Sequence, residues 1–232
     1  MSAMDDEPVR LLGDAALERS AVVANRAMNR ERRLAGYGRE LGIDVLGEIR
    51  ERLARRDRVC WVDLCCGEGR ALTEVALRLA DEGLDARADL VGVDLVGHFA
   101  PAPPAVRLVT ASVTAWEPGR PVDLVTCVHG LHYVGDKLGA LARIASWLAP
   151  DGLAVASFDP GSVRLAGGAP AGRRLTAALR AAGLEYVSRR RRVVCRGRRD
   201  LDPPYRYLGA DDRAGPNYTG QPAVDSYYEP RR

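Results

Sequence analysis

Three short stretches gather the residues whose types and spacing could do chemistry. From Val59 to Thr73 an apolar run ends at Asp63 and breaks at Gly67 and Gly69 before passing into a helical pattern. Glycine has no Cβ, so the backbone can turn sharply there and a ligand can lie against main-chain N–H groups at the following helix N-terminus. The second stretch, Val91-Gly92-Val93-Asp94-Leu95, again carries a carboxylate where an apolar strand runs out. In an open parallel sheet ligands bind at that edge, and a carboxylate there accepts both hydroxyl hydrogens of a ribose. The third, His129-Gly130-Leu131-His132-Tyr133, follows another apolar run and holds two of the three histidines. An imidazole titrating near neutrality takes a proton from a hydroxyl or an amine. The combination points to an adenosine-containing ligand held beside a group able to move a proton.

Glycine spacing narrows the ligand. A dinucleotide fingerprint starting at Gly67 needs glycine where Leu72 stands, and one starting at Cys65 meets cysteine instead of glycine, so nicotinamide and flavin are disfavoured. A phosphate loop needs Gly-Lys-Ser/Thr, and the sole lysine is Lys137. The run Asp63-Leu64-Cys65-Cys66-Gly67-Glu68-Gly69 instead resembles the Asp-Leu-Gly-Cys-Gly-x-Gly signature of class I S-adenosylmethionine-dependent methyltransferases, with Cys65 in place of its first glycine. Trp147-Leu148-Ala149-Pro150-Asp151-Gly152 resembles the Leu-x-Pro-Gly-Gly that commonly precedes the fifth strand of that family, so the likeness spans about Val59 to Phe158.

The resemblance implies S-adenosyl-L-methionine as cofactor. Asp63 and the backbone from Cys66 through Gly67 to Gly69 would hold its methionine end, Asp94 its ribose and Ser112 its adenine. Cys65, Leu95, Val113 and His129 complete the expected cofactor contacts. His129 and His132 are the candidates for general base or acceptor orientation. The alternative stands beside it: His129 packs only against cofactor, and His132 caps or packs at the start of the next helix. Family members often lay a segment before the first strand over the substrate, which makes Asn25, Arg26 and Tyr37 expected substrate contacts, with Tyr133 beside the acceptor; polar helix surface and a turn is the competing reading. The His-x-x-His pair lacks the glutamate spacing of zinc helices, so no metal is expected.

The elements that must position these groups follow from periodicity. Helices are predicted over about Leu11 to Arg33 and about Arg39 to Arg56, separated by a flexible break at Arg33 to Gly38. Strands are predicted at Val59 to Leu64, Asp89 to Leu95, Val106 to Thr110, Val122 to Val128 and Leu153 to Phe158. Three prolines between Val96 and Pro104 exclude a crossover helix there and leave a loop carrying His98. A helix within Ala169 to Ala182 and a strand pair within Leu184 to Arg196 would complete the sheet. The four arginines Arg189 to Arg192 fall inside that strand pair and read either as an anion contact or as the charged shield of an exposed edge strand.

The expected fold is therefore α/β, a Rossmann-like seven-stranded, mostly parallel sheet with helices on both faces, as in class I methyltransferases. Its division is 1–58 N-terminal helices and substrate cap, 59–200 cofactor-binding core, and 201–232 a Tyr/Pro/Gly-rich C-terminal arm. The 232 residues suffice for one full core. The net charge of +3 lacks the basic stripe of a nucleic-acid binder, and no run approaches a membrane span. The acidic start is unlike a signal peptide, and the five cysteines read as reduced core residues of a cytoplasmic protein. The arm carries five of the eight tyrosines and is expected to wrap over the crevice or to meet a second copy in a homodimer. The expected activity is methylation of a small-molecule acceptor on oxygen or nitrogen; the competing function is a regulatory protein that binds S-adenosylmethionine or S-adenosylhomocysteine without turnover.

Overall fold

The computed structural model describes residues 9–24 and 32–231. Among the described residues three helices, α1 (Asp14–Leu17), α2 (Leu34–Leu41) and α3 (Val45–Leu53), precede the first strand. A seven-stranded sheet then takes β1 (Val59–Leu64), β2 (Ala88–Asp94), β3 (Val106–Thr110), β4 (Val122–Cys127), β5 (Leu148–Ser157), β7 (Leu184–Val187) and β8 (Arg192–Arg196) in the order β3-β2-β1-β4-β5-β8-β7. The first five strands run parallel and β8 is antiparallel to both its neighbours. The order reverses beside β1, so the C-terminal ends of β1, β2 and β4 open around a crevice.

Helices α4 (Arg70–Asp81), α5 (Lys137–Trp147) and α6 (Gly172–Ala181) complete the layers. Strand side chains alternate between faces, so each strand feeds two cores. Cys60, Val62, Val91 and Val125 pack with Leu138 and Leu141 of α5 and Leu175 of α6 on one face. Trp61, Leu90 and Leu124 pack with Tyr37, Ile49, Leu72 and Val75 from α2, α3 and α4 on the other. Residues 96–105 form the proline-rich connection without a helix, as expected, and His98 is exposed on it.

The N-terminal helices depart from the expected boundaries. Helix over the first predicted span is confined, among the described residues, to Asp14–Leu17, followed by turns through 24. The predicted break at Arg33 to Gly38 is instead helical, and the chain breaks at Gly42, whose φ of 64° is left-handed. A four-residue hydrophobic repeat runs through both helices, so periodicity alone does not reveal that stop. Asp44 then caps α3 by accepting from Gly47 N at 3.0 Å.

The C-terminal arm is ordered as a second sheet. Strands β6 (Val163–Leu165), β9 (Tyr205–Asp211) and β10 (Asp225–Pro230) pair in the order β6-β10-β9, so this sheet recruits a strand from the expected core segment. It is pinned to the loop before α5. Buried Lys137 donates to the carbonyls of Val134 at 3.1 Å and Val224 at 2.8 Å and to Ser226 Oγ at 2.7 Å. An antiparallel bridge between Leu12 and Ala210 ties the N-terminal segment to the same sheet. The arginine run is also relocated. Residues 188–190 form a turn, Arg191 has φ of 44°, and only Arg192 enters β8, opposite Ser157. The edge strand on this side of the sheet is β7, and the arginines gather at the crevice end, where Arg192 stands opposite Ser157.

Candidate functional site

The turn after β1 is set by left-handed residues in succession. Cys65 (φ 54°), Gly67 (φ 62°) and Gly69 (φ 78°) reverse the chain into α4. A side chain at Cys65 carries strain there, which accounts for the glycine at this place in the signature that the loop resembles. At Gly69 an added Cβ would come within 2.8 Å of the Leu108 side chain, so the turn is also sterically closed from β3. Asp94 locks the turn from the neighbouring strand: its Oδ2 accepts from Gly67 N at 3.0 Å and its Oδ1 from Val96 N at 3.0 Å.

Two adjoining cavities open above this turn. One, of about 570 Å³ including open solvent, is walled by Leu17, Val23, Leu95, Val96, Val113 and Val134, with Glu18 and Ser112 among its polar lining. The other, of about 1570 Å³ including open solvent, is lined by Gly67, His129, Arg32, Arg39, Glu40 and the arm residues Thr219 and Gln221, among others. Cys65, Asp94, Gly130 and Tyr133 belong to both and mark the border between an apolar chamber and a polar one.

The sequence-derived residues separate into those that reach this crevice and those beneath it. Cys65, Gly67, Asp94, Leu95, Ser112, Val113, His129 and Tyr133 line it. Cys66 is buried under the turn, and Gly69 is the residue from which α4 starts. Asp63 lines neither cavity. It is fully buried, with Oδ2 accepting from Tyr37 OH at 2.5 Å and Oδ1 from Thr126 Oγ1 at 2.6 Å, while Trp61 Nε1 donates to Thr126 Oγ1 at 2.8 Å. Burial pushes the Asp63 carboxyl up to about 7, with both hydroxyl donors opposing the rise. Tyr37, expected at the substrate, is thus a correction: its ring stacks edge-on against Trp61 and its hydroxyl is spent on Asp63. Asn25 and Arg26 lie outside the described residues.

The two histidines stack with ring centroids 5.6 Å apart but occupy different layers. His129 has φ of 59° at the end of β4, presents Nε2 to Glu40 Oε2 at 3.2 Å, and leaves Nδ1 buried without a partner. Burial, then the nearby Arg32 guanidinium, hold its pKa below the ordinary value, with Glu40 opposing them. His132 lines neither cavity. It is 1% exposed, lies under the Tyr218 ring at 5.3 Å, and is driven down to about 3 by burial and then by His129. A ring so buried stays neutral at working pH.

Sequence reasoning missed Glu18 and Glu40, and it expected the arm over the crevice without naming its residues. Glu18, on the turn after α1, accepts from Ser112 Oγ and reaches into the apolar chamber, so the N-terminal segment covers that half of the crevice. No local motif marks it, because Glu18 meets Ser112 only through tertiary packing. Tyr218, Thr219 and Gln221 arrive from the arm, whose tyrosine richness was the available signal.

The observed strand order with its antiparallel final pair, the glycine turn and the acidic end of the next strand define the class I methyltransferase fold, whose cofactor is S-adenosylmethionine. The chain belongs to the methyltransferase-domain family, which it matches over residues 30–170. No curated protein matches it. Among solved structures it is similar to the S-adenosylmethionine-bound amino pentose methyltransferase CalS10 from Micromonospora echinaspora, at 27% identity over 49% of this chain and 48% of that one, with a TM-score of 0.35. It is also similar to a TehB-like methyltransferase from Corynebacterium glutamicum, at 23% identity over 71% and 95%, TM-score 0.43. The sugar N-methyltransferase KedS8 from Streptoalloteichus sp matches at 21% identity over 69% and 59%, TM-score 0.39. The chain spans about half the length of the amino pentose enzyme. No helix among the described residues is long and apolar enough to cross a membrane.

The crevice fits the cofactor. Its apolar chamber suits a flat adenine, Asp94 stands at the border where a ribose would lie, and the turn adjoins the polar chamber as a charged methionine end requires.

Proposed function

We propose that this protein transfers the methyl group of S-adenosylmethionine to an oxygen or nitrogen of a small-molecule acceptor in the polar chamber. The sulfonium supplies an activated methyl group, so the protein's own work is to bind, align and deprotonate. Leu95 and Val113 sandwich the adenine, Ser112 and Glu18 meet its polar edge, and Asp94 accepts from the ribose. Asp63 braces the turn from below through Tyr37 and Thr126. His129 takes the acceptor proton while Glu40 orients its ring, and His132 backs it as a neutral packing partner. Tyr133, at the border, positions the acceptor.

One observation carries the reading: His129 stands in the wall of the polar chamber, within the same cavity as Gly67 and Asp94. The depressed imidazole pKa suits a base that must be unprotonated before the acceptor is attacked. The test is calorimetric titration with S-adenosylmethionine and, separately, NAD, followed by transfer of labelled methyl to a metabolite extract. The expected result is micromolar binding of S-adenosylmethionine alone, weakened about 100-fold in Asp94→Ala, which loses the bond to Gly67 N of the turn and the bond to Val96 N as well as the ribose contact. Labelled product is expected from wild type and not from His129→Ala. Binding with no product from any fraction would replace transfer by a ligand-binding role, and no binding by folded wild type would sink the cofactor assignment.

A further inference from the structure

Beside the polar chamber, three arginines share a place that internal pairing does not explain. Arg39, on α2, lines the chamber. Arg190, on the turn after β7, donates from Nη1 to the Arg39 carbonyl at 3.4 Å. Arg192 begins β8 beside it. An added Cβ at Gly42 would stand 2.7 Å from Nη1 of both Arg190 and Arg192, so the two guanidinium groups approach within twice that distance of each other. Gly42, left-handed and without a side chain, is what lets both guanidinium groups close on the end of α2.

Like charges at this separation repel, and a guanidinium is normally found spread over acceptors. The end of α2 explains one of them, since cations suit the last turn of a helix and Arg190 uses a carbonyl there. It does not explain Arg192, whose Nε and Nη1 are buried with no partner. Among the described residues no carboxylate forms an ion pair with Arg39, Arg190 or Arg192; the acidic group acting on Arg192 is Glu185, against Arg190 and Arg196. Arginines that do find a carboxylate include Arg33 with Glu74, Arg50 with Glu82 and Arg191 with Asp159. A planar fork with unused donors beside a second fork is the arrangement that carboxylate and phosphate oxygens satisfy.

We propose that the methyl acceptor is anionic, and that a carboxylate or phosphate group on it docks against Arg39, Arg190 and Arg192 at the rim of the polar chamber while its nucleophile reaches His129. The inference rests on the methyltransferase reading for the word acceptor, but the anion site stands on its own geometry. A single small anion is indicated rather than a nucleic acid, because the Arg190 and Arg192 donors gather at Gly42 and do not extend as a stripe.

The full-length protein is titrated calorimetrically with inorganic phosphate and with citrate at low ionic strength, against sodium chloride at matched ionic strength. Millimolar binding of one or both is expected, weakened at least fivefold by Arg190→Gln, and also by Arg192→Lys, which keeps the charge and loses the fork. S-adenosylmethionine affinity, measured on the same preparations, is expected within twofold of wild type in both variants, which also reports that they fold. Heats equal to the chloride control, or affinities unchanged in both variants, would overturn the anion site even where the cofactor binds. Failure of cofactor binding with phosphate binding intact would strike the methyltransferase reading alone. Tight, steeply salt-dependent binding of a short DNA duplex at the same arginines would replace the small acceptor by a nucleic acid.

Discussion

Tyr37→Phe isolates the brace beneath the cofactor turn. The substitution keeps the ring packed edge-on against Trp61 and removes only the hydroxyl that donates to Asp63 at 2.5 Å. The site is fully buried, so no water replaces the donor. A hydrogen bond to a charged group contributes about 1.5–3 kcal/mol, and one between neutral groups about 0.5–1.5 kcal/mol. Asp63 titrates near 7 in the fold, well above its unfolded value, so it binds a proton in the native state between these values. The stability it contributes is therefore full below the unfolded pKa and is lost as pH rises through about 7. Removing the tyrosine donor deepens that loss. The variant should cost about 2 kcal/mol at pH 8.5, where the carboxylate is charged, and about 1 kcal/mol at pH 5, where it is protonated. Urea unfolding at the two pH values reads both numbers, and in an Asp63→Asn background the pH difference should vanish. Because Tyr37 does not line the crevice, affinity for S-adenosylmethionine should change less than about threefold, whereas loss of a direct charge-assisted contact costs about tenfold or more. An equal cost at both pH values, or a tenfold loss of cofactor affinity, would refute the placement of Asp63 and Tyr37 as a buried brace.

Glu18→Ala should weaken cofactor binding about tenfold and Ser112→Ala by less, since the carboxylate is the stronger acceptor in the polar lining of the apolar chamber; calorimetry ranks the two, and the reverse order would return the adenine contact to Ser112. Glu40 raises the pKa of His129, so Glu40→Gln should shift the acid limb of the pH–rate profile to lower pH, and an upward shift would remove Glu40 from the proton path. Lys137 is held down to about 7 by burial, so unfolding takes up a proton between about 7 and its unfolded value. Its contribution to stability should rise with pH across that window; the difference in unfolding free energy between wild type and Lys137→Met, measured from pH 6 to 10, should follow it, and a flat difference would mean that the lysine stays charged in the fold.

The core of this fold was legible because its signals are local. The turn at Gly67 and Gly69, the strand ends at Asp63 and Asp94, and the prolines at 101, 103 and 104 each act on the backbone where they stand. Periodicity located β1 and β3 to the residue for the same reason. What escaped was decided at a distance. A helical stripe does not show that α2 stops at Gly42, because a glycine within a helical pattern is tolerated until its φ is known. Tyr37 looks like surface or a substrate contact in the sequence because nothing near it announces a buried carboxylate 26 positions on. Resemblance assigns Asp63 to the cofactor, and the local pattern does not distinguish a carboxylate that lines a crevice from one that anchors its floor.

That distinction has a mechanical consequence. The cofactor turn is held from beneath by groups of the parallel core, Asp63, Thr126 and Trp61, and from the side by Asp94, so its geometry persists without ligand. The roof is of different origin. Glu18 and Leu17 come from the N-terminal segment, Thr219 and Gln221 from the arm, and the two are joined to each other through the Leu12 bridge to Ala210. The arm is in turn joined to the histidine loop, since Val224 N donates to the His132 carbonyl at 3.0 Å and Lys137 grips the Val224 carbonyl. Under the transfer we propose, a rigid floor beneath a roof of N-terminal segment and arm holds the methyl donor in one pose while segments outside the motif read the acceptor's shape. Loops vary more freely than the strands that carry them, and on that proposal acceptor choice falls to residues that no signature contains.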